Sequence, residues 1–154
     1  MYRPIALATA VAGTLDIIFA MILTVLFGRE IGNMLRFVAS GPFPDAKEWG
    51  SAGAVLGLVV HFALMAVMAT IFVVAARRFP GLLRSPLKWG VIYGLITYIA
   101  MNWIVVPLRF NAPLPPKAMA IATQLFAHVV LVGIPFALIT ARTLSAKFMQ
   151  RAPA

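Results

Sequence analysis

Apolar residues along this chain run on in long blocks. Four such segments stand out: Pro4–Phe27, Ser51–Ala75, Trp89–Pro107 and Ala118–Ala141. About 20 helical residues cross a hydrocarbon core of roughly 30 Å, so each segment predicts a membrane-spanning helix. The third is slightly short and the others slightly long, which predicts some tilt. The second loop is short and turns at Pro80-Gly81, and the third, Asn111–Lys117, is stiffened by prolines. Short loops make neighbouring helices antiparallel. The expected fold class is therefore all-α: a polytopic membrane protein, built as one up-down four-transmembrane-helix bundle over residues 1–154.

The first loop, Gly28–Gly50, has a different pattern. Ile31, Met34, Leu35 and Val38 recur at helical spacing, with Arg29, Asn33, Arg36 and Ser40 on the opposite face. This predicts a short amphipathic helix over about residues 29–40, lying at the membrane interface. Gly41-Pro42-Phe43-Pro44 stops it. Trp49 and Trp89 stand where aromatic belt residues belong. The loop reads as an anchor, with a lid over the bundle as the alternative.

Composition agrees with the pattern. Of 154 residues, 62% are hydrophobic and 11% charged, against about 25% charged in a soluble domain. So small a protein could not bury that much apolar surface in water, so the solvent is lipid. Arg3 followed by an apolar run and Ala8-Thr9-Ala10 resembles a signal peptide, but the run continues to Phe27, so the segment is expected to be retained. The absence of cysteine excludes disulfides and thiolate chemistry. The net charge of +9 is read as membrane-surface charge, with the lipid bilayer as partner and no nucleic acid. Eight basic residues (Arg3, Arg77, Arg78, Arg84, Lys88, Arg142, Lys147, Arg151) fall on the side of the termini and five on the other. That asymmetry predicts both termini in the cytoplasm.

Asp16 is the only acid in any apolar segment. A carboxylate at mid-span costs roughly 2.5–3.5 kcal/mol on insertion scales, so something near it must offset that cost. His61, Asn102, Gln124 and His128 lie on the other segments, from the midplane to about 8 Å beyond it at 1.5 Å per residue. Together they predict a polar layer. Thr9, Gly13, Asp16, Ala20 and Thr24 form one small, polar stripe. Gly53, Gly57 and His61 follow at steps of four, as do Gly90, Gly94, Tyr98 and Asn102. Gly13, Gly53, Gly57, Gly90 and Gly94 are read as helix-packing positions. A weak parallel repeat also shows: Gly13-Thr14-Leu15-Asp16 against Gly94-Leu95-Ile96-Thr97, and Leu58-Val59-Val60-His61 against Leu125-Phe126-Ala127-His128.

Three functions fit this layer. Asp16 with one or both histidines forms a proton-titratable site in a proton-coupled or small-solute transport component. The layer is glue between helices in a structural membrane-assembly protein. Or His61 and His128 ligate a haem b for electron transfer. No ligand-spacing motif supports a metal site. No hydrolase elbow, phosphate-binding glycine loop or carboxylate pair is present, so an enzyme is not expected and no catalytic residue is assigned. Four short helices leave little room for an internal pathway, so a transport role predicts a homo-oligomer with glycine-rich faces at subunit contacts.

The run Phe79-Pro80, Leu87-Lys88-Trp89-Gly90, Pro107-Leu108, Leu114-Pro115 and Gln124-Leu125-Phe126-Ala127-His128 resembles the YagU-type bacterial inner-membrane proteins, over about half of the chain. The resemblance implies a four-helix protein of the bacterial inner membrane with uncharacterised activity. It covers neither the first loop nor Gly13–Asp16.

Overall fold

Hydrocarbon-length helices account for most of the computed structural model, which describes residues 2–149. Arg151, counted in the charge asymmetry, lies outside the described residues. The described residues are almost wholly helical, with no strand. Four helices are long and apolar enough to cross a membrane: Tyr2–Leu26, Gly50–Arg78, Pro86–Phe110 and Ala118–Leu144. The chain thus has the make-up of a multi-pass integral membrane protein.

In chain order, α1 is Tyr2–Leu26, α2 is the loop helix Ile31–Ala39, and α3 is Gly50–Arg78 after a 3₁₀ turn at Pro44–Glu48. The short α4, Gly81–Arg84, leads into the third span. That span is α5, Pro86–Ile99, a π-helical stretch Ala100–Val105, and α6, Val106–Phe110. The fourth is α7, Ala118–Phe126, a π stretch Ala127–Gly133, and α8, Ile134–Met149. The expected end of the third segment at Pro107 is passed, and the helix runs three residues further.

Both π stretches have a covalent cause. Each lies just upstream of a proline inside a long helix, Pro107 and Pro135. A proline has no N–H to give and its ring crowds the carbonyl four residues back. Widening the preceding turn to i→i+5 bonding relieves that crowding without ending the helix.

Packing is tightest where side chains are smallest. Ala8 and Ala12 of α1 and Ala69 and Ala76 of α3 leave room for Phe72, Val132 and Phe136, which are almost wholly buried. This core lies toward the end of the helices that carries the N-terminus, called here the terminus end. Tyr93 ties the third span to α3, its hydroxyl donating to the Met68 carbonyl at 2.7 Å. Its ring packs edge-on to Phe72, with centroids 5.0 Å apart. Leu7, Val11, Ile18 and Ile22 of α1 and Val55, Val59, Val67 and Ile71 of α3 face outward. Those are the stripes a lipid solvent would cover.

At the opposite, loop end, α2 packs along α3. The Gly53-x-x-x-Gly57 face receives the chain's own loop: Gly57 meets the Leu35 backbone and Gly53 the Ala46 carbonyl. These two glycines are therefore not subunit contacts. Arg109, at the end of the third span, donates from Nε to the Gly41 carbonyl at 2.6 Å and from Nη2 to the Ser40 carbonyl at 2.9 Å. Phe37 stacks on Phe110 at 4.3 Å, with the Lys47 ammonium over both rings. The loop helix is thus clamped between two spans.

Candidate functional site

The sequence pattern places Asp16 on a stripe of small residues, and the fold uses that stripe to bring α3 close. A Cβ on Gly13 would stand 2.7 Å from the Phe62 ring, so only glycine leaves the ring its place. That approach carries His61 against α1. Its Nε2 lies 2.9 Å from the Gly13 carbonyl oxygen. A carbonyl can only accept, so Nε2 carries the hydrogen and donates. The other nitrogen, Nδ1, faces the Asp16 carboxylate at 3.9 Å from Oδ2. His61 is buried and Asp16 half-buried.

This geometry fixes the proton inventory. With Nε2–H committed to Gly13, a neutral His61 presents a bare lone pair to Asp16. A carboxylate facing a lone pair is repulsive. One further proton, on Nδ1 or on the carboxyl, turns the contact into attraction. At 3.9 Å the groups are just beyond direct hydrogen bonding, a gap that a small side-chain shift closes.

His128 repeats the arrangement one hairpin later. Its Nδ1 lies 3.2 Å from the Thr97 hydroxyl. A Cβ on Gly94 would stand 2.6 Å from Val129 Cα, and one on Gly90 2.7 Å from Ile134 Cα, so the π stretch of the fourth span seats backbone-on-backbone against the third. Gly133 supplies the facing half of that seat. The correspondence with the sequence repeat holds in placement but not in bonding: the Thr97 hydroxyl donates to the Gly94 carbonyl at 3.0 Å and accepts from His128 Nδ1, whereas His61 itself donates to the Gly13 carbonyl. Gly13, Asp16 and His61 in one hairpin match Gly94, Thr97 and His128 in the other. Each histidine turns Nδ1 toward the residue three after the glycine.

The remaining residues of the expected layer go elsewhere. Asn102 donates from Nδ2 to the Tyr98 carbonyl of its own helix at 3.2 Å. Gln124 lines a crevice at the loop end, with Thr24, Arg29 and Lys117. The structure thus shows two separate pairs and two outliers. Thr97 and Gly133 were not singled out by sequence as site residues. Thr97 was marked only by its place three residues after Gly94 in the repeat.

A bis-histidine haem does not fit this arrangement. His61 has both ring nitrogens turned to α1, one bonded to Gly13 and one facing Asp16, while His128 turns to Thr97 on the third span. Among the described residues, no three His, Asp or Glu side chains gather as a metal site would require.

No family model, curated protein or solved structure matches the chain. The site must be read from its own chemistry.

Proposed function

We propose that the protein is a bacterial inner-membrane component whose Asp16–His61 pair takes up and releases a proton, serving proton-coupled or small-solute transport. One observation carries this. His61 is held by Gly13 so that its second nitrogen faces the one mid-span carboxylate. One proton between its two facing atoms turns their contact from repulsion into attraction, so the pair has a reason to hold one. An ionisable pair inside spanning helices is a functional site by default, because it is costly to keep there.

The proposal includes an up-down bundle with both termini cytoplasmic, on the charge asymmetry of the sequence. It includes α2 as an interfacial helix, with exposed Phe37, Phe43 and Trp49 at headgroup level. It also includes kinship with the YagU-type proteins and assembly as a homo-oligomer. Subunit contacts would use faces other than Gly53 and Gly57.

A second reading has its own support. His128–Thr97 is an uncharged bond between the third and fourth spans, of the kind that holds membrane helices together, worth about 0.6 kcal/mol. On that reading Asp16–His61 is one more tie in a structural protein.

The test is pH-driven proton uptake into proteoliposomes, compared for wild type, Asp16→Asn and His61→Gln. Loss of uptake in both, with melting within a few degrees of wild type, is the expected result. Unchanged uptake in Asp16→Asn would overturn the proton role. The structural reading predicts instead that Asp16→Asn is silent, while Asp16→Leu strands His61 and lowers stability by about 1–3 kcal/mol.

A further inference from the structure

At the loop end, between the last turns of α1 and the first turns of α7, lies a crevice of about 390 Å³. Three residues with side-chain hydrogen-bond donors line it: Arg29, Lys117 and Gln124. Among the described residues no hydrogen bond or ion pair holds any of the three side chains; the one ion pair within 4.0 Å is His61–Asp16. The two hydroxyls in the crevice are committed as donors, Thr24 to the Ala20 carbonyl at 2.7 Å and Thr123 to the Met119 carbonyl at 2.9 Å. Glu30, the acid nearest this rim in sequence, is engaged by Asn33 at 3.0 Å. Met119 and Ala120 also put the first turn of α7 on the crevice wall, with its N–H groups free of helical partners.

The walls are apolar: Leu23, Phe27, Met34 and Met119. One to two turns further inward, Phe19 of α1 and Phe126 of α7 pack at 5.3 Å between centroids. Where α1 ends, just ahead of Arg29 in the chain, Val25, Leu26 and Phe27 are more than half exposed, at 59%, 73% and 53%, and Phe27 lines the crevice. A free inorganic anion would satisfy the donors and leave that apolar surface in water. An amphiphile would cover both. The crevice also lies at the ends of two helices long and apolar enough to cross a membrane, and the ends of such helices meet headgroups.

We infer that the crevice between α1 and α7 binds an anionic phospholipid, its phosphate held by Arg29, Lys117 and Gln124 and its acyl chains lying along the apolar wall. The inference does not depend on the proton role of Asp16.

The test uses the full chain in dodecyl maltoside, with dioleoylphosphatidylglycerol and dioleoylphosphatidylcholine as competing probes and retained lipid counted by native mass spectrometry. Wild type should favour the anionic lipid, and Arg29→Ala/Lys117→Ala should weaken its retention roughly tenfold or more, since a basic side chain near an anionic lipid contributes appreciably to binding. Gln124→Leu, which leaves the charge untouched, should also lower it. Arg77→Ala/Arg78→Ala, at the other end, should not. Equal losses in that control would reduce the effect to a general basic belt and overturn the site, as would unchanged retention in the double variant. If inorganic phosphate, at ionic strength matched with chloride, displaces the lipid with the same residue dependence, the occupant is a soluble anion and the lipid assignment fails. Should the double variant not fold, Arg29→Gln and Lys117→Gln, each on an exposed side chain, carry the same comparison singly.

Discussion

Glycine positions decide how close these helices come, and they differ in what they would tolerate. Gly57 faces the Leu35 backbone and Gly94 the backbone of His128 and Val129. Backbone cannot swing aside. Gly13 faces the edge of the Phe62 ring, a side chain with its own rotamers. We therefore expect Gly57→Ala and Gly94→Ala to cost about 1–3 kcal/mol or more, the range for overpacking, and Gly13→Ala clearly less. Thermal melting in detergent checks the order, and equal losses at all three would contradict it. Spacing of four made these residues legible in the sequence, but not what they touch. Gly53 and Gly57 read as a seat for another spanning helix or subunit, and the chain's own loop fills it. Spacing gives a face, and only the fold gives its partner. The same limit divided the polar layer. Depth along a helix can be counted from sequence, but rotation toward one neighbour cannot. Asn102 turned back to its own backbone and Gln124 to the loop-end crevice.

Helices were the most legible elements, because hydrocarbon length demands an unbroken apolar run. What the pattern concealed was continuation through proline. Pro107 reads as an end and Pro135 lies inside an unbroken apolar run, yet both helices run on through a widened turn. The loop helix was legible in its span and its faces, whereas its clamp was not, since Arg109 lies far off in sequence. Arg109 donates to both carbonyls that follow α2, so it acts as a cationic cap on that helix end. Arg109→Ala should lower stability modestly, by about 1 kcal/mol for a partly exposed site, and open the loop to trypsin at Arg36 and Lys47. Arg109→Lys should restore only part of the protection, because an ammonium lacks the forked geometry for two carbonyls. Full protection in Arg109→Ala would show that the Phe37–Phe110 stack suffices to hold the loop.

At the scale of the whole molecule the prediction is orientation. Alkaline phosphatase fused after Trp49 or Pro115 should be active, and after Arg84 or Ala154 inactive, in a bacterial host. The reverse pattern would turn the molecule over and place the Arg29–Lys117 crevice in the other leaflet. The two similar seats, Gly13/Asp16/His61 and Gly94/Thr97/His128, bear on what substitutions would move the charge between them. The two seats share a glycine and a histidine at matching places and differ at the third, an acid against a hydroxyl, and in what the glycine faces, the Phe62 ring against the backbone of His128 and Val129. Exchanging the acid and the hydroxyl takes two substitutions, one at each seat. The order of the two matters. Passing through aspartate in both seats would place two carboxylates inside the spans at once, each costing roughly 2.5–3.5 kcal/mol to insert. Passing through threonine in both leaves every histidine facing a hydroxyl and no charge to insert. The neutral intermediate is the less costly one, so the charge moves between the two seats most cheaply through a chain in which neither seat is charged.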